Sequence, residues 1–149
     1  MQKQDFYYLS ENKTTNIHAI CWKPEGEVKA VLQIIHGMAE YIDRYHAFAT
    51  FLAERGILVV GHDHLGHGKS VTDASEFGYF YEPDGNRCVI RDIHQLRMQT
   101  QKQYQNVPYF MMGHSMGSFL LRQYLGNHAE GLSGAVIMGT GDQPAIALK

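Results

Sequence analysis

The chain has 149 residues, of which 44% are hydrophobic and 19% are charged, and its formal net charge is −2 at pH 7. This length allows one domain with a substantial core, and the weak negative charge excludes a general attraction to nucleic acid. No apolar run approaches the ~20 residues that a membrane-spanning helix needs, and residues 1–16 lack the apolar stretch of a secretory signal. Cys21 and Cys88 lie far apart without metal-site spacing. We expect a cytoplasmic protein with reduced thiols and no cofactor, bound metal or nucleic-acid partner.

The first predicted elements form an antiparallel hairpin. Residues 5–10 (DFYYLS) and 16–24 (NIHAICWKP) have the composition of short strands, and the polar ENKTT between them is typical of a turn. Residues 29–37 (KAVLQIIHG) then form a near-continuous aliphatic run that ends in glycine. Such a run predicts a strand that is buried on both faces of a sheet.

A helix is predicted next, in residues 45–56 (YHAFATFLAERG). Phe48, Phe51 and Leu52 stand at helical spacing and mark its apolar stripe. Gly56 supplies the stop signal, so we expect the helix to end there.

The rest of the chain repeats this alternation of strands and helices. Residues 88–104 predict a long helix, because Val89, Ile93 and Leu96 lie on one stripe and the opposite face is polar. A second helix is predicted in residues 117–128. Aliphatic runs predict further buried strands at residues 57–63, 107–113 and 132–141.

Strands that alternate with helices, and that are aliphatic rather than alternating in polarity, indicate an α/β fold. We expect a mostly parallel sheet with helices on both faces, preceded by the antiparallel hairpin. In such folds ligands bind at the carboxyl ends of the strands. Three of those ends carry unusual chemistry, and they are residues 36–40 (HGMAE), 61–70 (GHDHLGHGKS) and 113–117 (GHSMG). We expect these three segments to meet on one edge of the sheet.

The segment Gly113-His114-Ser115-Met116-Gly117 fits the pattern G-x-S-x-G. A predicted strand ends at Gly113 and a predicted helix begins near Met116, which is the setting of a nucleophile elbow. Such a turn lifts the serine hydroxyl out of the sheet, beside a helix N-terminus that favours developing negative charge. The glycines two residues before and after Ser115 permit close backbone approach. A strand-to-helix turn without chemistry is the alternative explanation.

Three segments in this order resemble the α/β-hydrolase-fold serine hydrolases, and among them the lysophospholipase and monoacylglycerol lipase group (serine aminopeptidase S33-like). The segments are residues 36–45 (HGMAEYIDRY), 61–70 and 113–118 (GHSMGS). The resemblance runs from about residue 15 to the C-terminus. In the first segment we expect Glu40 and Arg44 to support the loop through polar contacts rather than to touch substrate.

The resemblance also implies roles for individual residues. His36 and Gly37 would begin the oxyanion loop, with His36 as a structural residue rather than a base. The backbone N–H groups of Met38 and Met116 would point at the carbonyl oxygen of a bound ester, which agrees with the need for two converging donors. Asp63 fits the family pattern D-x-x-G-x-G-x-S and would order a loop near the site.

A histidine cluster leaves a second chemistry open. His62, His64 and His67 have the H-x-H-x-x-H spacing of binuclear metallohydrolases, and clustered imidazoles suit zinc. The metal pattern normally has a carboxylate just before its last histidine, and here Gly66 stands at that position. Asp63 instead fits the hydrolase loop. A metallohydrolase is therefore the weaker alternative.

The acid and histidine that a serine nucleophile needs are not evident in this chain. In this fold the order is serine, acid, histidine, whereas after Ser115 the chain offers His128 and then Asp142. His128 ends a helix that leads about 18 Å away from the serine. The family resembled here places its acid one strand later than Asp142. We therefore expect residues 1–149 to be the N-terminal portion of one α/β-hydrolase domain, with the cap starting near residues 142–149.

Without the later strands, the strand in residues 132–141 would be an exposed apolar edge. We therefore expect the isolated chain to be poorly soluble or to self-associate, and to turn over esters negligibly. For the intact protein we expect a serine esterase that forms an acyl-enzyme on a lipid with one acyl chain, a monoacylglycerol or lysophospholipid. Such a substrate implies transient contact with a membrane surface. Peptidase, carboxylesterase and carbon–carbon hydrolase activities stay open, as does a non-catalytic truncated chain or binding module.

Overall fold

A computed structural model describes residues 1–142 of the protein. Its strands are β1 (Gln2–Leu9), β2 (Asn16–Lys23), β3 (Ala30–Ile35), β4 (Ile57–His62), β5 (Tyr109–His114) and β6 (Gly134–Met138). Its α-helices are α1 (His46–Ala53), α2 (Gly85–Gln103) and α3 (Met116–His128), and short 3-10 helices cover Ile42–Tyr45, Gly68–Ser70 and Ala74–Glu76. The predicted start of a cap lies, apart from Asp142, outside the described residues.

The strands form one sheet in the order β1-β2-β4-β3-β5-β6. The predicted hairpin is confirmed, because β1 and β2 pair antiparallel over their full length. β2 also pairs antiparallel with β4, whereas β4, β3, β5 and β6 are mutually parallel. The sheet is therefore mostly parallel, as the aliphatic runs predicted.

Helices cover both faces of the sheet, which confirms the expected layers. On one face, Ala49 and Ala53 of α1 pack on a cluster that includes Trp22 and Ile34. On the other face, α2 and α3 pack on a larger cluster that includes Tyr109. Among residues 1–142 no helix has the length and apolar character of a membrane span.

One expectation about burial was wrong in part, and another was confirmed. Of the predicted stripe of α1, Leu52 packs on the core, whereas Phe48 is 42% exposed and Phe51 is 50% exposed while the alanines are buried. A helix that lies close to a sheet can bury small side chains and leave aromatic ones at the rim. Residues 132–141 have the composition of a buried strand and were expected to form an exposed edge in this chain, and all residues of β6 after Gly134 are exposed. Within the described chain β6 has a strand on one side alone.

The parallel strands bring the three unusual loops together. β3, β4 and β5 are neighbours and run in the same direction, so their carboxyl ends meet at one edge of the sheet. The loops that follow these strands carry His36, Asp63 and Ser115 respectively. This edge holds the candidate site.

Candidate active site

Ser115 sits at a sharp turn between β5 and α3. Its backbone has φ 53° and ψ −122°, a strained conformation for a residue with a side chain, and the residue is exposed. The flanking glycines are needed for space. A Cβ atom on Gly113 would lie 2.3 Å from the carbonyl oxygen of Gly117, and one on Gly117 would lie 2.0 Å from the carbonyl oxygen of Ile35. The turn therefore has the geometry of a nucleophile elbow.

The start of α3 faces the exposed hydroxyl of Ser115. The Ser115 amide donates to the carbonyl oxygen of Met138 over 3.0 Å, which ties the elbow to β6. The Ser115 carbonyl oxygen accepts from the amide and the hydroxyl of Ser118, over 2.8 and 2.6 Å. Met116 is the first residue of the helix, and no intramolecular acceptor for its amide is recorded within residues 1–142.

The loop after β3 lies directly against the elbow. A Cβ atom on Gly37 would lie 3.2 Å from Cβ of Ser115 and 3.1 Å from the carbonyl oxygen of His114. Met38 follows and is exposed, and no acceptor for its amide is recorded in the described part of the chain. The structure therefore places Gly37, the residue before Met38, against Ser115, while Met116 directly follows the serine.

Glu40 holds this loop in place. Its Oε1 accepts from the amide of Gly37, from the hydroxyl of Tyr45 at 2.8 Å and from Nδ1 of His114 at 3.2 Å. Arg44 lies 3.2 Å from its other oxygen. Burial alone would raise the pKa of the Glu40 carboxyl, but the hydrogen bonds from Gly37, Tyr45 and His114 outweigh it and lower the pKa. Glu40 is thus a buried anion that organises the loop from within.

Asp63 joins the loop after β4 to two other segments. Its Oδ1 accepts from the amide of Ile42 at 2.7 Å, and its Oδ2 accepts from the amide of Lys69 at 2.9 Å. Oδ2 also lies 2.7 Å from Nδ1 of His18, whose Nε2 is 2.7 Å from Asp5. Burial would lower the pKa of His18, but the two carboxylates outweigh it and raise the pKa. The arrangement fits the loop-ordering role that the family pattern implied for Asp63.

Three buried imidazoles form a hydrogen-bonded chain beneath the loops. Nε2 of His64 lies 3.1 Å from the carbonyl oxygen of His36, and since a carbonyl only accepts, this nitrogen carries the proton. In its neutral form His64 then accepts at Nδ1 from Nε2 of His62, 3.0 Å away. Nδ1 of His62 lies 2.8 Å from the Tyr8 hydroxyl, whose single proton also faces the Asp92 carbonyl oxygen at 3.0 Å. His36 donates through Nδ1 to the Gly37 carbonyl at 2.7 Å and accepts the His64 amide at Nε2. Burial lowers the pKa of all three imidazoles, which favours their neutral forms.

The chemistry of this cluster does not resemble a metal centre. Burial lowers the pKa of His62 to about 3 and that of His36 to about 4. The nitrogens of His62 and His64 are engaged by protein partners, and Nδ1 of His67 lies 2.9 Å from the carbonyl oxygen of Leu65. In the part of the chain that is described, no three His, Cys, Asp or Glu side chains are placed to hold a metal ion. The metallohydrolase alternative therefore gains no support from this geometry.

An apolar cleft opens beside the loop that follows β3. Its volume is about 620 Å³, and Met38, Tyr41 and Phe77 line it. These side chains are 69%, 51% and 63% exposed. Large apolar side chains grouped around a cleft mark a surface for an apolar ligand.

No base contacts the serine within residues 1–142. Oγ of Ser115 makes no recorded hydrogen bond there, and His114 turns its Nδ1 to Glu40. His128 stacks on His94, with a distance of 4.2 Å between ring centroids, at the end of α3 that lies away from the elbow. Asp142 is exposed. The expectation that the described chain lacks a complete triad agrees with this geometry.

Sequence reasoning missed several supporting residues. Tyr8 contacts His62 in the imidazole chain, His18 contacts Asp63, and Tyr45 donates to Glu40. No local pattern marks Tyr8 or His18, because their partners are fixed by strand pairing across the sheet. The aromatic wall of the cleft was also missed, although Phe77 stands in a segment with two tyrosines close behind it.

Comparisons with known proteins find similar lipases and esterases. Monoglyceride lipase from Homo sapiens is 38% identical over 114 residues, which are 76% of this chain and 36% of that protein. A thermostable carboxyl esterase from Bacillus coagulans, solved in complex with glycerol, is 36% identical with a TM-score of 0.83, over 91% of this chain and 43% of that one. A lipase solved in an open form is 30% identical with a TM-score of 0.87, over 96% of this chain and 46% of that one.

The chain spans 36% of the length of the mammalian lipases that it matches. A family model described as serine aminopeptidase, S33, matches residues 26–147, which is most of the chain and includes all three loops of the candidate site. The sheet order, the elbow at Ser115 and these matches lead to the same assignment. The chain belongs to the serine aminopeptidase S33 family of the α/β-hydrolase fold.

Proposed function

We propose that the protein is a serine hydrolase that cleaves the carboxylic ester of a lipid with a single acyl chain, with Ser115 as its nucleophile. The observation that carries this proposal is the exposed hydroxyl of Ser115 in a strained turn, flanked by the N-terminus of α3 and by the Met38 loop. A strand-to-helix turn without chemistry has no need for a strained side-chain-bearing residue at its apex.

The chemistry would proceed by two acyl transfers. The Ser115 hydroxyl gives its proton to a histidine base and attacks the ester carbonyl carbon, and the amides of Met38 and Met116 stabilise the oxyanion. Loss of one such donor raises the barrier by about 3 kcal/mol. The alcohol leaves with the proton, and water then cleaves the acyl-serine to release the fatty acid. His36, Gly37, Asp63, Gly113, His114 and Gly117 would hold the loops and the elbow in shape.

Two observations support a lipid substrate. Relatives named monoglyceride lipase are 36% and 38% identical to this chain over 117 and 114 residues. The cleft beside Met38 exposes Tyr41 and Phe77, which can accept an acyl chain. A monoacylglycerol or lysophospholipid partitions into membranes, so the protein would contact a membrane surface transiently and from the cytoplasmic compartment.

The triad acid and histidine would lie outside the described residues, in the same polypeptide, and residues 1–149 would form part of one α/β-hydrolase domain. A non-catalytic chain that keeps the elbow is the competing hypothesis. It is favoured by one observation, that no base contacts Oγ of Ser115 within residues 1–142. The test must therefore use the whole protein as the cell makes it.

The experiment adds an N-terminal purification tag at the gene and measures release of fatty acid from 1-monooleoylglycerol and from lysophosphatidylcholine. We expect turnover that Ser115→Ala abolishes and that Ser133→Ala leaves intact, since Ser133 is exposed at the opposite end of β5 and β6. Turnover that survives Ser115→Ala would overturn the role of the serine. Absence of turnover on esters of every class would favour the non-catalytic hypothesis.

A further inference from the structure

His67 has one ring nitrogen that the fold leaves without a partner. The side chain is buried, with 4% of its surface exposed, and Nδ1 lies 2.9 Å from the carbonyl oxygen of Leu65. Nε2 is buried and has no hydrogen-bond partner among the described residues. This differs from His62 and His64, whose ring nitrogens all have partners.

The Leu65 carbonyl determines what the free nitrogen can do. A carbonyl oxygen accepts hydrogen bonds and cannot donate, so the contact with Leu65 requires a proton on Nδ1 of His67. In the tautomer with a proton on Nδ1 alone, Nε2 has a free lone pair and acts as an acceptor. A buried acceptor without a donor is unfavourable, because it has lost water without gaining a replacement.

The position of His67 is next to the candidate catalytic centre. It lines the same cleft as Met38, Tyr41 and Phe77. Its ring centroid is 5.4 Å from that of His36 and 6.0 Å from that of Phe80. The adjacent Gly66 is fixed as well, because its carbonyl oxygen accepts the Gly78 amide at 2.8 Å. The backbone before His67 and its Nδ1 are therefore both held by hydrogen bonds.

The remaining polar side chain of the cleft is not available in the same way. Glu40 also lines the cleft, but its carboxylate is occupied by the Gly37 amide, Tyr45, His114 and Arg44. Nε2 of His67 is the unpaired acceptor beneath the wall of this cleft, and a ligand that enters between the apolar side chains would reach it by displacing the atoms that cover it. Its natural partner is a hydroxyl group, which can donate.

We propose that the cleft binds hydroxyl-bearing amphiphiles and that Nε2 of His67 accepts a hydrogen bond from the ligand hydroxyl. The apolar part of such a ligand would pack on Met38, Tyr41 and Phe77. This inference rests on the proposed function for the nature of the ligand, an ester whose alcohol keeps a free hydroxyl as in a monoacylglycerol. His67 would be a specificity residue, since a site built around a buried acceptor discriminates against ligands that lack the donor.

The test measures binding rather than turnover, so that a failure of catalysis cannot be mistaken for a failure of this inference. The full-length protein carries Ser115→Ala and is titrated in a calorimeter with 1-O-hexylglycerol. The comparison ligand is the same ether with both hydroxyls methylated. We expect the diol to bind about tenfold more tightly, the size of one lost hydrogen bond at a buried site.

Two variants test whether the preference for the diol depends on His67. His67→Phe keeps the ring and removes the acceptor, and we expect it to bind both ligands equally. His67→Gln returns an acceptor at a similar distance from the backbone, and we expect it to recover part of the preference. Equal binding of both ligands to the protein with His67 intact, or no binding of either, would overturn the proposal, as would an undiminished preference in folded His67→Phe.

A spectroscopic readout covers the case in which a variant does not fold. In protein labelled with 15N-histidine, the Nε2 resonance of His67 reports directly on its lone pair. We expect the diol to shift this resonance upfield and the methylated ether to leave it unchanged. No shift with the diol at saturation would contradict the proposal without any change at position 67.

Discussion

Oδ1 of Asp63 accepts a hydrogen bond of 2.7 Å from the amide of Ile42. This contact links the loop after β4 to the segment that follows Met38. The buried carboxylate after β4 therefore fixes the loop after the neighbouring strand β3. The other oxygen holds the Lys69 amide and His18. Asp63 therefore determines the relative position of loops that lie far apart in the sequence.

Replacing the Asp63 carboxylate should lower the stability of the fold. Asp63→Asn removes the negative charge that faces buried His18, and we expect the free energy of unfolding to fall by about 3 kcal/mol at pH 7. Urea denaturation followed by circular dichroism measures the change. Asp43→Asn is the matched control, because Asp43 pairs with Lys3 at the surface and should lose at most about 0.5 kcal/mol. Equal effects of the two substitutions would contradict the role assigned to Asp63.

The elbow should not tolerate a side chain at position 117. A Cβ atom there would lie 2.0 Å from the carbonyl oxygen of Ile35, and that backbone belongs to the central strand β3. We expect Gly117→Ala to lower the free energy of unfolding by about 3 kcal/mol. Gly126 lies in the same helix with no atom near its Cβ position, so Gly126→Ala should instead add up to about 1 kcal/mol through helix propensity.

Chemical denaturation of the two glycine variants and the parent decides this prediction. The comparison is informative because both substitutions add one methyl group to α3. If Gly117→Ala were neutral, the close packing of the elbow against β3 would be wrong.

The central part of the fold was predictable because local signals there agree. The aliphatic runs of β3, β4 and β5 indicate burial, and the pattern of glycines around Ser115 is informative because it lies between a predicted strand and a predicted helix. α1 was different. Phe48 and Phe51 mark one helical stripe and Ala49 and Ala53 another, and periodicity alone cannot tell which of them faces the sheet.

The supporting contacts of the site could not be predicted, since they depend on register. Tyr8 reaches His62 and His18 reaches Asp63 only because β1 pairs with β2 and β2 with β4. No pattern within a short window of the sequence specifies such pairing. The exposure of β6, by contrast, was predicted, because a strand of buried composition without a neighbour on its outer side forms an exposed edge.

Acid should destabilise the protein through the buried imidazoles. In the unfolded chain the pKa of a histidine is near 6.5, whereas burial lowers it to about 3 for His62 and to about 4 for His36. The unfolded state therefore binds more protons below pH 6.5, and stability is lost as the pH falls. Each such group contributes a loss that approaches ~1.4 kcal/mol per pH unit.

Groups whose pKa is raised by folding reduce this loss of stability at low pH but do not cancel it. Burial raises the pKa of Asp92 to about 6, and the pKa of His18 is also raised, so both groups add stability as the pH falls. His64 has a lowered pKa and acts in the same sense as His62 and His36. We expect a net decrease of at least ~2 kcal/mol in the free energy of unfolding between pH 7 and pH 5.

The decrease can be assigned to the imidazole chain by substitution. His62→Phe removes one buried titrating group, so the slope of stability against pH below 6.5 should become shallower by about one proton. Gly126→Ala changes no titrating group and should keep the parent slope. Urea midpoints measured at half-unit pH steps provide the data. An identical slope in His62→Phe would show that the acid sensitivity arises elsewhere.

The outer edge of β6 should make the 149-residue chain self-associate. Val136, Ile137 and Met138 are 51%, 39% and 43% exposed, and within residues 1–142 no strand pairs with this edge. Exposed apolar edge strands pair with other chains, and a lysine on the edge prevents it. In sedimentation velocity at micromolar concentration we expect species larger than the 16.9 kDa monomer, and we expect Ile137→Lys to restore the monomer.

Tyr7→Lys is the control, because it places the same charge on β1, the opposite edge strand, and should leave the association unchanged. A monomeric parent chain would contradict the prediction, and loss of association in Tyr7→Lys alone would move the interface to β1.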